Sequence, residues 1–404
     1  MNPINRNIAL AMISLFSVIA DSQTAAGQTK ARIDKKWGAY LDSLITDNMK
    51  ESGIVAIGAA IIIDKKLVWT KGYGYADKAK RIPFEPTTIM NIASITKTFT
   101  GVCMMRLVEE GKLSLDEDIN KYLPFKVVNP FFPDEKITLR DIATHTSGIT
   151  DRFPVYDSVY HYGGDSPVPL ESFLRDYFIP GRKFYSKENF LNHKPGSYRE
   201  YCNISVALAG LIVERISGKK LNLYSKEVIF HPLKMQNSGW FLSEVNLKNH
   251  SMLYDKQDDS LKQIPLYGET TYPDGGVRTS VAELSRFFIA MLNNGEYEGA
   301  RLLKKETVQE ITTFQFTESK KPENVDPSKL NSGIFWATKF GGTKMGHAGT
   351  DPGVKTEMLS DLKKEVAVIL FSNTSLSEKD LIKYHSGIFT DLFNSAIELK
   401  KMIK

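Results

Sequence analysis

Residues 90–110 read MNIASITKTFTGVCMMRLVEE, and this stretch decides how the chain folds. Thr98 to Glu110 is apolar on nearly every helical face, so it reads as a helix buried at the centre of the molecule. Gly111 ends it. At its head stand Ser94 and Lys97, three residues apart and therefore on one face, where a hydroxyl and an ammonium can approach. A solvated lysine is not expected at the start of a buried helix. Burial would let Lys97 lose its proton near neutral pH and accept one from the serine. The spacing alone is cheap, since Ser217/Lys220 and Ser360/Lys363 share it. Position is what separates this pair from the others.

Working outward, both ends of the chain carry strands. Ile57 to Ile63 (IGAAIII) is a continuous apolar run, the pattern of a buried strand, and Leu67 to Tyr75 follows after the turn Asp64-Lys65-Lys66. Near the C-terminus, Val354 to Leu359 and Val366 to Phe371 form a second hairpin around Asp361 to Lys364. Between them the period is helical, in Ile204 to Ile216 and Val281 to Leu292, and Thr138 with Asp141 reads as a capping box. Ile33 to Met49 and the face Leu381, Ile388, Leu392, Phe393 are further helices. The expected fold is α+β: the two hairpins join in one antiparallel sheet flanked by helices, with a mostly helical lobe inserted. Residues 31–110 and 300–404 would form the sheet lobe and 111–299 the helical lobe, with a cleft between them. Residues 317–333 read as a polar surface loop.

The 404 residues are 42% hydrophobic and 25% charged, ordinary globular values, and the net charge of +5 is spread along the chain. No concentrated basic stripe marks a nucleic-acid partner. Seven histidines include no HExxH or close pair, so no metal site and no cofactor are expected. Arg6 and the apolar run Ile8 to Ala20 look like a signal peptide, 1–20, with cleavage as late as 26. The chain is then periplasmic or secreted with no stable membrane span; the alternative is an uncleaved N-terminal anchor. Cys103 and Cys202 are expected as two separately buried thiols rather than a bridge.

Three more elements bear chemistry. Tyr201-Cys202-Asn203 opens the Ile204 helix, where a phenol can carry protons and an amide can orient a substrate or simply cap the helix. Gly346-His347-Ala348-Gly349-Thr350 precedes the last hairpin; its small residues would let a strand edge approach a ligand, and the N–H groups of Thr350 and Ser94 could form an oxyanion hole. His145-Thr146-Ser147-Gly148 reads as a helix end, with a nucleophilic Ser147 as the minority alternative.

Taken in order, Ser94-x-x-Lys97, Tyr201-x-Asn203 and His347-x-Gly349 resemble the serine β-lactamase and penicillin-binding-protein family. LVEEGKLSLDEDINKYLP, ITLRDIATHTSGI, PGSYREYCN, PDGGVRTSVAELSRF and GHAGTDPG agree with it. The likeness runs over residues 50–374 and is nearest the class C-like branch of β-lactamases, DD-carboxypeptidases, D-amino-acid peptidases and carboxylesterases. It implies Ser94 as nucleophile, Lys97 and Tyr201 as the general base/acid pair, and Asn203, His347, Gly349 and Thr350 as substrate-binding residues. His347 stands where class C lactamases have lysine, which argues against efficient β-lactam hydrolysis. The expected function is hydrolysis of an amide or ester in a small molecule or peptide through an acyl-enzyme on Ser94. The alternatives are a class C-like β-lactamase and a penicillin-binding sensor with little turnover.

Overall fold

The computed structural model describes residues 37–257 and 260–403. The export signal and Ile33 lie outside the described residues. The described residues fall in two units, one ending at Glu51 and the other beginning at Ser52. In the first, residues 37–51 lie within a helix that runs over 37–52.

The second unit is organised by a seven-stranded sheet. Its strands are β1 (Ala56–Ile63), β2 (Lys66–Asp77), β3 (Ile82–Pro83), β4 (Ala337–Lys339), β5 (Lys344–Asp351), β6 (Val354–Asp361) and β7 (Val366–Ser372). They lie in the order β4-β5-β6-β7-β1-β2-β3 and each pair is antiparallel. The two terminal hairpins therefore join where expected, with Ile57 opposite Ser372 and Ile63 opposite Val366. All eight residues of β1 and all seven of β7 are buried, which is why both strands read as unbroken apolar runs. Helices α4 (Val281–Leu292) and α5 (Ser386–Ile403) both pack on β1 and β7.

Helix α1 (Thr96–Glu109) is buried from Thr96 to Met105 without a break, and packs against α3 (Asn203–Ser217). Gly111, at φ 71°, turns the chain out of it. The capping box at Thr138 is present: Thr138 Oγ1 accepts from Asp141 N, and Asp141 Oδ2 accepts from Thr138 N, at the start of α2 (Leu139–Ala143). Cys103 and Cys202 are free and buried, so the two thiols are separate.

Candidate active site

Ser94 lies on a single 3-10 turn, Ala93–Ile95, that runs directly into α1. Ala93 holds φ 53°, a conformation costly for any residue with a Cβ, so the surroundings must impose it. Asn91 Oδ1 accepts from Ala93 N at 2.5 Å, and Ile92 O accepts from Thr356 Oγ1 at 2.9 Å. From the other side β5 presses on the turn. A Cβ on Gly349 would lie 2.4 Å from Ile92 O and 2.9 Å from Ala93 Cβ, so only glycine fits.

Lys97 is fully buried, and its Nζ donates to Ser94 Oγ at 2.9 Å and to the carbonyl of Asp274 at 2.9 Å. The same Nζ lies 5.1 Å from the centre of the Tyr201 ring and 4.0 Å from Asp274 Oδ1. The charge state differs from the sequence expectation. Burial does pull the lysine down, but the Tyr201 phenol and the Asp274 carboxylate outweigh it, and Lys97 is held above its ordinary value. It is an ammonium at neutral pH.

Tyr201 precedes α3 and keeps 38% of its surface exposed. His145 packs against it with ring centres 4.3 Å apart and planes tilted by 36°, and His347 approaches at 6.5 Å. The helix cap is Cys202, whose Sγ accepts from Ser205 N, so Asn203 is the first helical residue rather than the cap. What holds Asn203 is Asp151. Its carboxylate accepts from the backbone N of Asn203 (2.8 Å) and of Ile204 (2.9 Å), and from Asn203 Nδ2 (2.8 Å). A carboxylate satisfying the first N–H groups of a helix is favoured by the helix dipole.

His347 is buried, and its Nδ1–H donates to Ala348 O at 2.7 Å, which leaves Nε2 as a bare acceptor. Burial, then Lys97 and Lys339, push its pKa well below the usual range. The ring is therefore neutral and presents no positive charge to a ligand. Beyond Gly346 the pairing of β5 with β4 stops, so His347 to Asp351 carry an open strand edge. Thr350 is exposed on it, its Oγ1 accepting from Lys355 Nζ at 3.0 Å. Ser94 N, in the first turn of its helix, is of the kind that has no intrahelical acceptor. The structure thus brings Ser94, Lys97, Tyr201, His347, Gly349 and Thr350 to one place and holds Asn203 beside them.

Sequence reasoning missed three contributors: His145, Asp151 and Asp274. His145 was read as a helix end, yet its Nδ1 accepts from Cys202 N at 3.3 Å, which fixes the neutral tautomer under the Tyr201 ring. No local pattern marks the two acids, because their partners lie 52 and 177 residues away. Ser147 is buried and its Oγ accepts from Ile149 N, a structural arrangement. Among the described residues no three His, Cys, Asp or Glu side chains gather as a metal site.

A serine at a helix start, bonded to a buried lysine and flanked by a tyrosine and an open strand edge, on an antiparallel sheet packed with helices, defines the serine β-lactamase and penicillin-binding-protein class. The chain belongs to the Beta-lactamase family, whose family model matches residues 41–386. It is 27% identical over 254 residues to the Protein flp of Staphylococcus aureus (strain MRSA252), covering 63% of this chain and 48% of that one. The chain thus spans about half the length of the curated relatives it matches. A penicillin-binding protein homologue from Pyrococcus abyssi, solved as an octamer, superposes with a TM-score of 0.67 at 28% identity, over 83% of this chain and 73% of that one. The D-amino acid amidase of Ochrobactrum anthropi SV3, with L-phenylalanine amide bound, superposes with a TM-score of 0.72 at 20% identity, over 91% and 100%; this likeness is one of fold.

Proposed function

We propose that the chain is a serine hydrolase that forms an acyl-enzyme on Ser94 and hydrolyses an amide or ester. The observation that carries it is the 2.9 Å contact between Nζ of the fully buried Lys97 and Oγ of the half-buried Ser94 at the helix start. Ser94 Oγ attacks the carbonyl carbon, and its proton passes to the coupled Lys97–Tyr201 pair. The N–H groups of Ser94 and Thr350 receive the developing oxyanion. The pair returns the proton to the leaving amine or alcohol, and a water then releases the acyl group by the same route. Since Lys97 is charged at rest, the pair must shed a proton before it takes the serine's. Activity therefore falls on the acid side, and a flat profile from about pH 5 to 9 contradicts this assignment.

Within this reading a D-amino-acid peptide or a carboxylic ester outranks a β-lactam. The neutral His347 offers a substrate carboxylate no ammonium, and its bare Nε2 favours a donor instead. Export to the periplasm or beyond belongs to the same proposal and rests on the run Ile8 to Ala20. The test mixes purified protein with a chromogenic ester, a D-alanyl peptide and a chromogenic cephalosporin, beside fluorescent penicillin and fluorophosphonate labelling. Turnover of ester or peptide, lost in Ser94→Ala together with the label, supports the proposal. Labelling that survives Ser94→Ala moves the nucleophile elsewhere. Stable penicillin labelling without turnover of any substrate makes the chain a sensor.

A further inference from the structure

The segment Tyr272-Pro273-Asp274-Gly275-Gly276 enters the site through its backbone. The carbonyl of Pro273 accepts from Thr100 Oγ1 at 2.7 Å, and that of Asp274 accepts from Lys97 Nζ at 2.9 Å. Val277 N then donates to Thr96 Oγ1 at 3.1 Å. Any residue at position 274 would supply that carbonyl. The side chain needs a separate explanation. Asp274 is 2% exposed; its Oδ1 accepts from Tyr156 Oη at 3.1 Å and stands 4.0 Å from Lys97 Nζ, while Oδ2 is buried with no partner. A carboxylate kept from water with one oxygen unsatisfied is unfavourable unless it faces a charge. Among the described residues, the cation that pairs with it is Lys97.

We propose that Asp274 is a positioning residue for the reaction: its side chain is the counter-charge that keeps Lys97 an ammonium pinned against Ser94 Oγ, and it thereby sets the pH at which the serine can give up its proton. This rests on the reading of Ser94 as nucleophile.

The neighbours agree with the assignment. Besides Lys97, Tyr156 and Thr271, the groups that act on Asp274 are Asp151, Tyr160, Glu269 and Asp351, with Arg278 acting on the last two. Three buried acids so close cannot all ionise. Burial pushes Glu269 well above the carboxylate range and Asp351 up to about 7. Asp274 is raised by burial to about 6, and Lys97 is what draws it back down. At neutral pH the negative charge thus rests most fully on the acid beside the lysine. Gly275 keeps this arrangement compact, since a Cβ there would meet Glu269 Oε2 at 2.3 Å.

A negative charge about 4 Å from an amine raises its pKa, and that of any coupled acid, by about 1–3 units. Removing it moves the titration of Lys97 down. The experiment follows the rate of fluorophosphonate labelling at Ser94 against pH, with folding checked by thermal melting, in wild type, Asp274→Asn, Asp274→Ala and Asp274→Glu. In the two neutral variants the acid limb is expected to move down by about one unit or more, with a lower plateau because the lysine is no longer pinned. Asp274→Glu keeps the charge and is expected to keep the limb near its wild-type position. Folded neutral variants whose limb coincides with wild type, moves up, or vanishes because labelling is lost at every pH overturn the inference, since a merely structural role lowers the plateau alone. It is also overturned if both neutral variants fail to fold while Asp274→Glu folds, which would make the carboxylate a folding requirement. Wild-type protein that is not labelled at Ser94 instead overturns the reading of the active site.

Discussion

Two of the buried acid–base pairs among the described residues meet opposite fates. Lys97 and Asp274 approach to 4.0 Å, and each is bonded to further groups: the lysine to Ser94 Oγ and a carbonyl, the acid to Tyr156 Oη. Glu357 on β6 and His385 in the turn leading into α5 approach to 3.7 Å, too far for a hydrogen bond, and both ring nitrogens and Glu357 Oε2 are buried without partners. Burial drives Glu357 up to about 7 and His385 down to about 3. Between about pH 6 and 7 the second pair is therefore neutral while the first is charged. Desolvation acts on both pairs; hydrogen bonds and a surplus of nearby negative charge decide which one keeps its ions.

Breaking the first pair has the largest effect. Lys97→Met is expected to reduce acylation of Ser94 by about a thousandfold or more, since the residues of such a site act as a unit. It also leaves Asp274 unpaired. Stability is expected to fall by roughly 2–4 kcal/mol above about pH 6, where that acid is ionised, and far less below it, as read by denaturant unfolding at two pH values. An equal loss at both pH values means that lost packing, not the stranded charge, is the cause.

Glu357→Gln sharpens the comparison from the other side. The folded-state value is raised, so the native protein holds this proton when the unfolded chain has released it, and stability from that source is lost as pH rises from about 4.5 to 7. The amide removes that loss. A gain on the order of 2–3 kcal/mol is expected at pH 8 and none near pH 4, and no gain at pH 8 means that Glu357 is solvated. His385→Phe is the smallest change and the mirror image. The depressed histidine destabilises the fold as pH falls below about 6.5, so the variant is expected to gain about 1–2 kcal/mol at pH 5 and almost nothing at pH 8.

Much of the architecture was legible because its signals are local. The unbroken apolar run of Ile57 to Ile63, the box at Thr138 and Asp141, and the all-apolar helix after Ser94 each state their environment in consecutive residues. The identities of Ser94, Lys97, Tyr201 and His347 were likewise open to reading from motif order. Their charge states were not. Burial of Lys97 is visible from its helix, but the groups that reverse the effect of burial, Tyr201 and then Asp274, arrive from segments far along the chain, the second of them 177 residues away. Asn203 raised the same difficulty: its helix start is written locally, whereas Asp151, which orients it, comes from the turn after α2. Sequence periodicity reports how much water a residue loses, and says little about which partners replace that water.

The absence of clearance at Gly349 has a mechanical consequence. With β5 seated against the carbonyl of Ile92 and the methyl of Ala93, the strand edge and the nucleophile's turn cannot drift independently. Warming that loosens the short β4 border would disturb the serine before the central strands β1 and β7 give way. Heat inactivation is then expected to set in several degrees below the loss of bulk secondary structure, and substitutions that brace the border would extend the working temperature without touching a reacting group.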